Sequence, residues 1–133
     1  MMAFVDTSAW IALNDKTDQY HNNAILKSQQ IKKQKIELIT SEYIFDESIT
    51  LIRYRASHQS AVTFGDSLLN SNIVRIIDVA TEDRLMAWEM FKQYRDKELS
   101  FTDCTSFVLM KKLKLQKAFT FDRHFKLMGF EML

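Results

Sequence analysis

Ala3-Phe4-Val5-Asp6-Thr7-Ser8 is an apolar run that stops on a carboxylate, and Ala118-Phe119-Thr120-Phe121-Asp122 repeats the pattern near the other end of the chain. Neither run alternates apolar with polar residues, so Ala3–Val5 and Lys117–Thr120 read as strands covered on both faces. Glu37–Thr40 and Val74–Ile77 have the same character, and Phe130–Leu133 is a weaker fifth candidate. Helical patterns fill the gaps. The first begins after Ser8, and the others cover Tyr20–Lys33, Ser41–Arg55, Ser60–Leu69, Thr81–Tyr94 and Thr102–Leu113. Thr81-Glu82-Asp83 supplies a hydroxyl cap followed by acids in a first turn. Proline is absent and glycine occurs only at Gly65 and Gly129, which favours helices joined by short connections. Strands separated by helices make βαβ units, hence an α/β fold with a mainly parallel sheet. Sites in such sheets lie beyond the carboxyl ends of the strands, where Asp6 and Asp122 stand.

The chain has 133 residues, enough for one domain, 1–133, with a core of its own. Apolar residues make up 47% and charged residues 26%, and the formal net charge is +1. That composition is ordinary for a globular protein, and the charge provides no overall field for nucleic acid, so binding must come from a local patch or a metal. The single cysteine, Cys104, excludes an internal disulfide and fits a reducing compartment. Met1 to Val5 lacks a basic n-region, and Asp6 cuts the apolar run short, unlike a signal peptide. Met1-Met2 leaves the true start ambiguous by one residue. No stretch approaches the ~20 apolar residues of a membrane span. The expected location is cytoplasmic. A G-x-x-x-x-G-K pattern is absent, which argues against a nucleotide-triphosphate enzyme.

Four acids stand where a carboxylate has little local purpose: Asp6, Glu47, Asp103 and Asp122. Each also has a bland explanation. Asp6 is a turn residue and a possible helix cap, although Ser8 competes for that role. Asp103 closes Ser100-Phe101-Thr102-Asp103, an S-x-x-D capping box. Asp122 suits a short turn through Arg123-His124-Phe125. Glu47 differs from its neighbour Asp46. Asp46 shares a helix face with Glu42, Thr50 and Arg53, a solvated stripe, whereas Glu47 lies between Tyr43-Ile44 and Leu51-Tyr54 with no cation three or four residues away. A carboxylate on an apolar face is costly unless something else satisfies it. Gathered by a fold, the four would repel one another until a divalent metal bound.

The motifs around these acids amount to a resemblance. Phe4-Val5-Asp6-Thr7-Ser8-Ala9-Trp10, continued by Asp15 or Asp18, His21 and Ala24, is similar to the opening of PIN-domain proteins, especially VapC-type toxins of bacterial toxin–antitoxin pairs. Ser41-Glu42-Tyr43-Ile44-Phe45-Asp46-Glu47 with Leu51 resembles the second acidic segment, with Glu47 in the acidic position. Leu99-Ser100-Phe101-Thr102-Asp103-Cys104 resembles the third, and Phe119-Thr120-Phe121-Asp122-Arg123-His124-Phe125 the fourth. The resemblance covers nearly the whole chain in family order, with a short segment after Asp122. It implies a three-layer α/β/α fold, Mg²⁺ or Mn²⁺, endoribonuclease activity, a homodimer and an antitoxin partner.

Oxygen-only ligands suit Mg²⁺ or Mn²⁺ rather than Zn²⁺. His21, His58 and His124 are far apart in sequence and form no H-x-x-x-H pattern, so they read as surface or packing residues, with His21 retained as a possible substrate-positioning group. The expected chemistry is metal-assisted hydrolysis of an RNA phosphodiester, the RNA being single-stranded or tRNA. Asp6 and Asp103 are expected as inner ligands, and Glu47 and Asp122 act through water or complete a second site. Thr7, Ser8 and Thr120 are expected to fix the acids by hydrogen bonds. Lys111, Lys112, Lys114, Lys117, Arg123 and Lys126 suggest a basic stripe for the RNA backbone, with Lys112, Lys117 and Arg123 at its centre. Two rivals remain. A phospho-aspartate enzyme would need an acid where Ser8 stands, and a non-catalytic PIN scaffold binding RNA or protein would tend to lose acids that this chain keeps.

Overall fold

The computed structural model describes residues 1–133. Five strands, β1 (Met2–Val5), β2 (Glu37–Ser41), β3 (Val74–Ile77), β4 (Lys117–Phe119) and β5 (Glu131–Met132), form one sheet in the order β3-β2-β1-β4-β5. Every pairing in it is parallel. Seven helices connect them: α1 (Thr7–Asn14), α2 (His21–Lys33), α3 (Glu42–Arg55), α4 (His58–Leu69), α5 (Thr81–Gln93), α6 (Phe101–Lys112) and α7 (His124–Leu127).

The chain moves outward from β1 through β2 to β3, then returns to the other side of β1 as β4 and β5. Right-handed crossovers therefore set α1 to α4 on one face and α5 to α7 on the other, the three-layer arrangement expected. Trp10 of α1 packs on Phe64 of α4 with ring centroids 5.4 Å apart, and Phe107 of α6 meets the edge of Phe125 of α7 at 4.9 Å. Phe4, Val5, Ala118 and Phe119 between these layers are buried. Burial on both faces is why β1 and β4 show no alternation. The strand order reverses between β1 and β4, which opens a crevice at their carboxyl ends. The Asp6 amide donates to the Phe119 carbonyl at 3.1 Å, so the two strand ends finish side by side.

Three helix-to-strand turns close with the same bond pattern. Ile36 N–H donates to Ile31 O at 3.1 Å, Leu115 N–H to Met110 O at 2.8 Å, and Phe130 N–H to Phe125 O at 3.0 Å. These are Schellman closures, and the apolar residues at both ends of each are buried. The residue before each closure is left-handed: Lys35 (φ 54°), Lys114 (φ 56°) and Gly129 (φ 94°). Only the last is a glycine, the residue that adopts this conformation without steric cost.

Two local expectations are corrected. α1 starts at Thr7, because Asp6 is extended (φ −90°, ψ 161°) and its carbonyl takes the first helical bond, from Trp10 N–H at 3.3 Å. Ser8 is therefore inside the helix and does not cap it. Thr81 is the first residue of α5 rather than its cap. The cap position holds Ala80, whose amide is satisfied by Asp83 Oδ2 at 3.2 Å.

Candidate metal centre and its cleft

Asp6 ends β1 at the switch point and is buried, 4% exposed. Its side chain caps nothing. Instead Oδ2 accepts hydrogen bonds from Ser8 Oγ at 2.9 Å and Thr120 Oγ1 at 3.0 Å. Ser8 Oγ also accepts the Phe121 amide at 3.0 Å, and Thr120 Oγ1 the Asp122 amide at 3.0 Å. These bonds lock the end of β4 onto the first turn of α1. Burial, reinforced by the nearby Asp103 charge, pushes the Asp6 carboxyl up to about 7 against the pull of the two hydroxyls. The third expected donor, Thr7, acts on Asp6 through its backbone amide, which also pulls the carboxyl down, while its hydroxyl is buried without a partner.

Asp103 lies in the first turn of α6 and completes the capping box. Its Oδ2 accepts the Ser100 amide at 3.1 Å while Ser100 Oγ accepts the Asp103 amide at 3.0 Å. Capping does not take Asp103 out of the cleft: the same carboxylate lines it with Asp6, Glu47 and Asp122. Burial holds Asp103 above the usual carboxylate range, and the Asp122 charge adds to this. Asp122 likewise serves two ends, its Oδ1 accepting the His124 amide at 2.9 Å in the turn that opens α7.

Glu47 and Asp46 separate as their helix faces require. Glu47 is half-buried on the cleft wall, and Asp46 is exposed. No cation lies within ion-pair distance of Glu47. The cleft has a volume of about 380 Å³ and also takes in Ser8, Asp18, Tyr20, Arg55, Ser100 and Phe121. Asp6, Glu47, Asp103 and Asp122 come from four separate parts of the chain: Asp6 and Asp122 follow the carboxyl ends of β1 and β4, and Glu47 and Asp103 lie in the first halves of α3 and α6.

His124, expected as a surface or packing residue, is half-buried and stands beside the acids. Ligand atoms of Asp103, Asp122 and His124 lie within 4.8 Å of one another. His124 Nδ1 is 2.8 Å from Asp122 Oδ1 but out of hydrogen-bond line. The signal was available: two residues after an acid at a strand end, a side chain can reach that acid only in a tight turn. His21 and His58 stay outside the cluster, His21 Nδ1 lying 2.6 Å from the Ala12 carbonyl and His58 Nδ1 2.7 Å from Arg53 Nη1.

The expected basic stripe beside the acids does not form. Lys112 lies at the far end of α6 from Asp103, about 13 Å along the helix axis, and its Nζ pairs with buried Asp83 at 3.1 Å. Lys117 stands at the start of β4, the opposite end from Asp122, with Nζ 3.7 Å from Met1 Sδ. Arg123 alone of the three adjoins the cleft, exposed beside Asp122. Sequence proximity misled here because one helix and one strand each carry their ends to opposite poles. Arg55, which sequence reading passed over, reaches the cleft from the end of α3. Cys104 is buried beneath Asp103, with its thiol pushed up to about 11. No helix is long and apolar enough to cross a membrane.

Comparison with known proteins agrees with this geometry. The PIN domain family model matches residues 3–131. The 23S rRNA-specific endonuclease VapC20 of Mycobacterium tuberculosis is 36% identical over 129 residues, covering 97% of this chain and 95% of that protein. A VapC ribonuclease of Archaeoglobus fulgidus is 28% identical over 129 residues, covering 96% and 81%. The crystal structure of M. tuberculosis VapC20, described as a sarcin-ricin loop cleaving toxin, superposes with a TM-score of 0.86 at 33% identity, over 98% of this chain and 96% of that one. VapBC2 from Rickettsia felis, bound to promoter DNA, shares the fold with a TM-score of 0.69 at 16% identity, over 100% and 98%. The chain belongs to the PIN-domain family, on its VapC-type branch.

Proposed function

We propose that this chain is an endoribonuclease that hydrolyses RNA phosphodiesters at a divalent metal centre formed by Asp6, Glu47, Asp103 and Asp122. One observation carries the reading: each of the four carboxylates keeps an oxygen that no side-chain donor engages, and all four line one cleft. In Asp6, Asp103 and Asp122 the other oxygen is held by the protein. Carboxylates that crowd one another without an adjacent cation are costly, and a hard divalent ion relieves that cost. The donor set is oxygen-rich, which fits Mg²⁺ or Mn²⁺. When bound, such an ion supplies a water nucleophile at neutral pH and polarises the phosphoryl oxygen.

The chain's own groups do the rest. Ser8 and Thr120 fix the Asp6 carboxylate in one orientation and tie it to the segment bearing Asp122. Ser100 does the same for Asp103. Asp6, the one buried acid of the four, and Asp103, whose charge acts on it, would hold the ion directly, and Glu47 and Asp122 would hold waters or a second ion. Arg55 and Arg123, at the rim, neutralise the RNA backbone in place of the absent lysine stripe. VapC20 is described as cleaving 23S rRNA within the sarcin-ricin loop, and a structured or single-stranded RNA is the substrate class proposed here. A homodimer, an antitoxin partner and a cytoplasmic location follow from the same family reading. The test is cleavage of single-stranded RNA or tRNA by the purified chain with Mg²⁺ or Mn²⁺, compared with EDTA and with Asp6→Asn. Metal-independent cleavage, or equal activity of the variant, rejects it.

A further inference from the structure

The loop between α1 and α2 is held by bonds that the acid cluster does not use. Asp15, 7% exposed, accepts at Oδ1 from both the amide and the hydroxyl of Thr17, at 2.9 and 2.6 Å. The Asp18 amide donates to the Asp15 carbonyl at 3.0 Å, and Asp18 Oδ1 accepts the Tyr20 amide at 2.8 Å. What this frame presents is the Tyr20 ring. It stacks on Phe121 with centroids 4.6 Å apart and planes 2° from parallel. Phe121 in turn meets the edge of buried Phe119 at 6.1 Å, so the column is rooted in β4. Tyr20 remains 37% exposed, and both rings line the cleft that holds the acids. Arg55 lines it too, and its nearest carboxylate, Asp18, is a distant 4.0 Å away, leaving guanidinium donors uncommitted.

We infer that Tyr20, seated on Phe121, is a stacking platform for an unstacked base of the RNA strand, with Arg55 taking a neighbouring phosphate. The inference rests on the RNA-cleaving reading above. A ring already fixed by stacking on one face and by its own backbone bonds loses little freedom when a base covers the other face. Stacking accepts any base, since each has a π-face. The arginine fork then suits a phosphate oxygen pair. Together they hold the strand across the cleft mouth, so that a phosphodiester next to the stacked base lies over the carboxylates. The buried acid Asp15 thereby has a purpose outside the metal centre: it shapes the loop that delivers the ring.

The test measures binding by fluorescence anisotropy in the Asp6→Asn background, which removes cleavage. The probes are a short oligoriboadenylate and a ribose-phosphate chain of equal length without bases. Tyr20→Ala and Tyr20→Leu are expected to weaken the oligoriboadenylate about tenfold or more and to leave the abasic chain within about twofold. Tyr20→Phe keeps the parent affinity, and Arg55→Ala weakens both probes. Equal losses on both probes, no loss, or no binding by the parent would each overturn the platform. Cleavage of the same RNA by the wild-type chain with Mn²⁺ separates the two readings. Cleavage with indifferent Tyr20 variants removes the platform alone, and base-dependent binding without cleavage removes the nuclease reading and leaves the platform.

Discussion

Replacing Asp6 by asparagine is expected to stabilise the metal-free protein above neutral pH while abolishing its activity. The carboxyl is raised from 3.8 to about 7 by burial and by Asp103. A group whose acidic pKa is raised in the fold takes up a proton on folding between those two values. Its contribution is therefore neutral below about pH 4, grows unfavourable as pH rises through the window, and is fully unfavourable above about 7. At about 1.4 kcal/mol for each pKa unit, the rise sets a ceiling of about 4 kcal/mol on the penalty. Asparagine matches the carboxylate in shape, and its carbonyl still accepts a bond from Ser8 or Thr120, so little packing is lost. Urea unfolding followed by the fluorescence of buried Trp10 reads this directly. With a slope of about 1–3 kcal/mol per molar urea, a gain of 2 kcal/mol moves the midpoint by about 1 M. In EDTA, the variant's advantage at pH 8 should shrink to nothing by pH 4. Saturating Mg²⁺ should restore the wild type by mass action, about 2.7 kcal/mol at a hundredfold excess over Kd, and leave the variant unmoved. A variant less stable than the wild type at pH 8 in EDTA, or a difference independent of pH, would refute the reasoning and make Asp6 a structural residue.

Other perturbations reach other parts of the account. Glu47→Gln should lower the cleavage rate by orders of magnitude, and Asp46→Asn should change it little, when both are assayed on one RNA at one Mg²⁺ concentration. Lys114→Gly removes a left-handed side chain at a Schellman turn and should raise stability by up to about 1 kcal/mol, seen as a higher urea midpoint at unchanged slope. Lys112→Met leaves buried Asp83 without its cation and should lower the Tm by several degrees, with kcat/KM on RNA unchanged because this lysine lies far from the cleft. A large loss of cleavage with normal stability would return Lys112 to the substrate path.

The sheet and the acids were legible because both depend on local pattern. Runs such as Ala3–Val5 carry their double-sided burial in composition, and Asp6 and Asp122 mark strand ends by following such runs directly. Glu47 could be told from Asp46 because helix periodicity assigns faces without any tertiary knowledge. The basic stripe was misread because Lys112, Lys117 and Arg123 are close in sequence yet are spread over both ends of α6 and β4. Residue number does not report the pole of the sheet at which a side chain emerges. His124 and Arg55 were missed for the converse reason. Their closeness to the acids comes from a tight turn and from the exit of a long helix, which only the assembled layers reveal. Thr7 was placed with Ser8 and Thr120 by adjacency, but one step along α1 rotates a side chain by about 100°, and its hydroxyl makes no bond to the Asp6 oxygen that the other two share, so Thr7 acts through its amide.

The measurement that bears most directly on the metal centre is an anomalous difference map from crystals grown with Mn²⁺. A peak is expected in the cleft within about 2.0–2.3 Å of carboxylate oxygens of Asp6 and Asp103, with Glu47 and Asp122 around it, and it should be missing from Asp6→Asn crystals. No peak at saturating Mn²⁺, or a peak that survives Asp6→Asn unchanged, would contradict the claim that these four acids form one ion site.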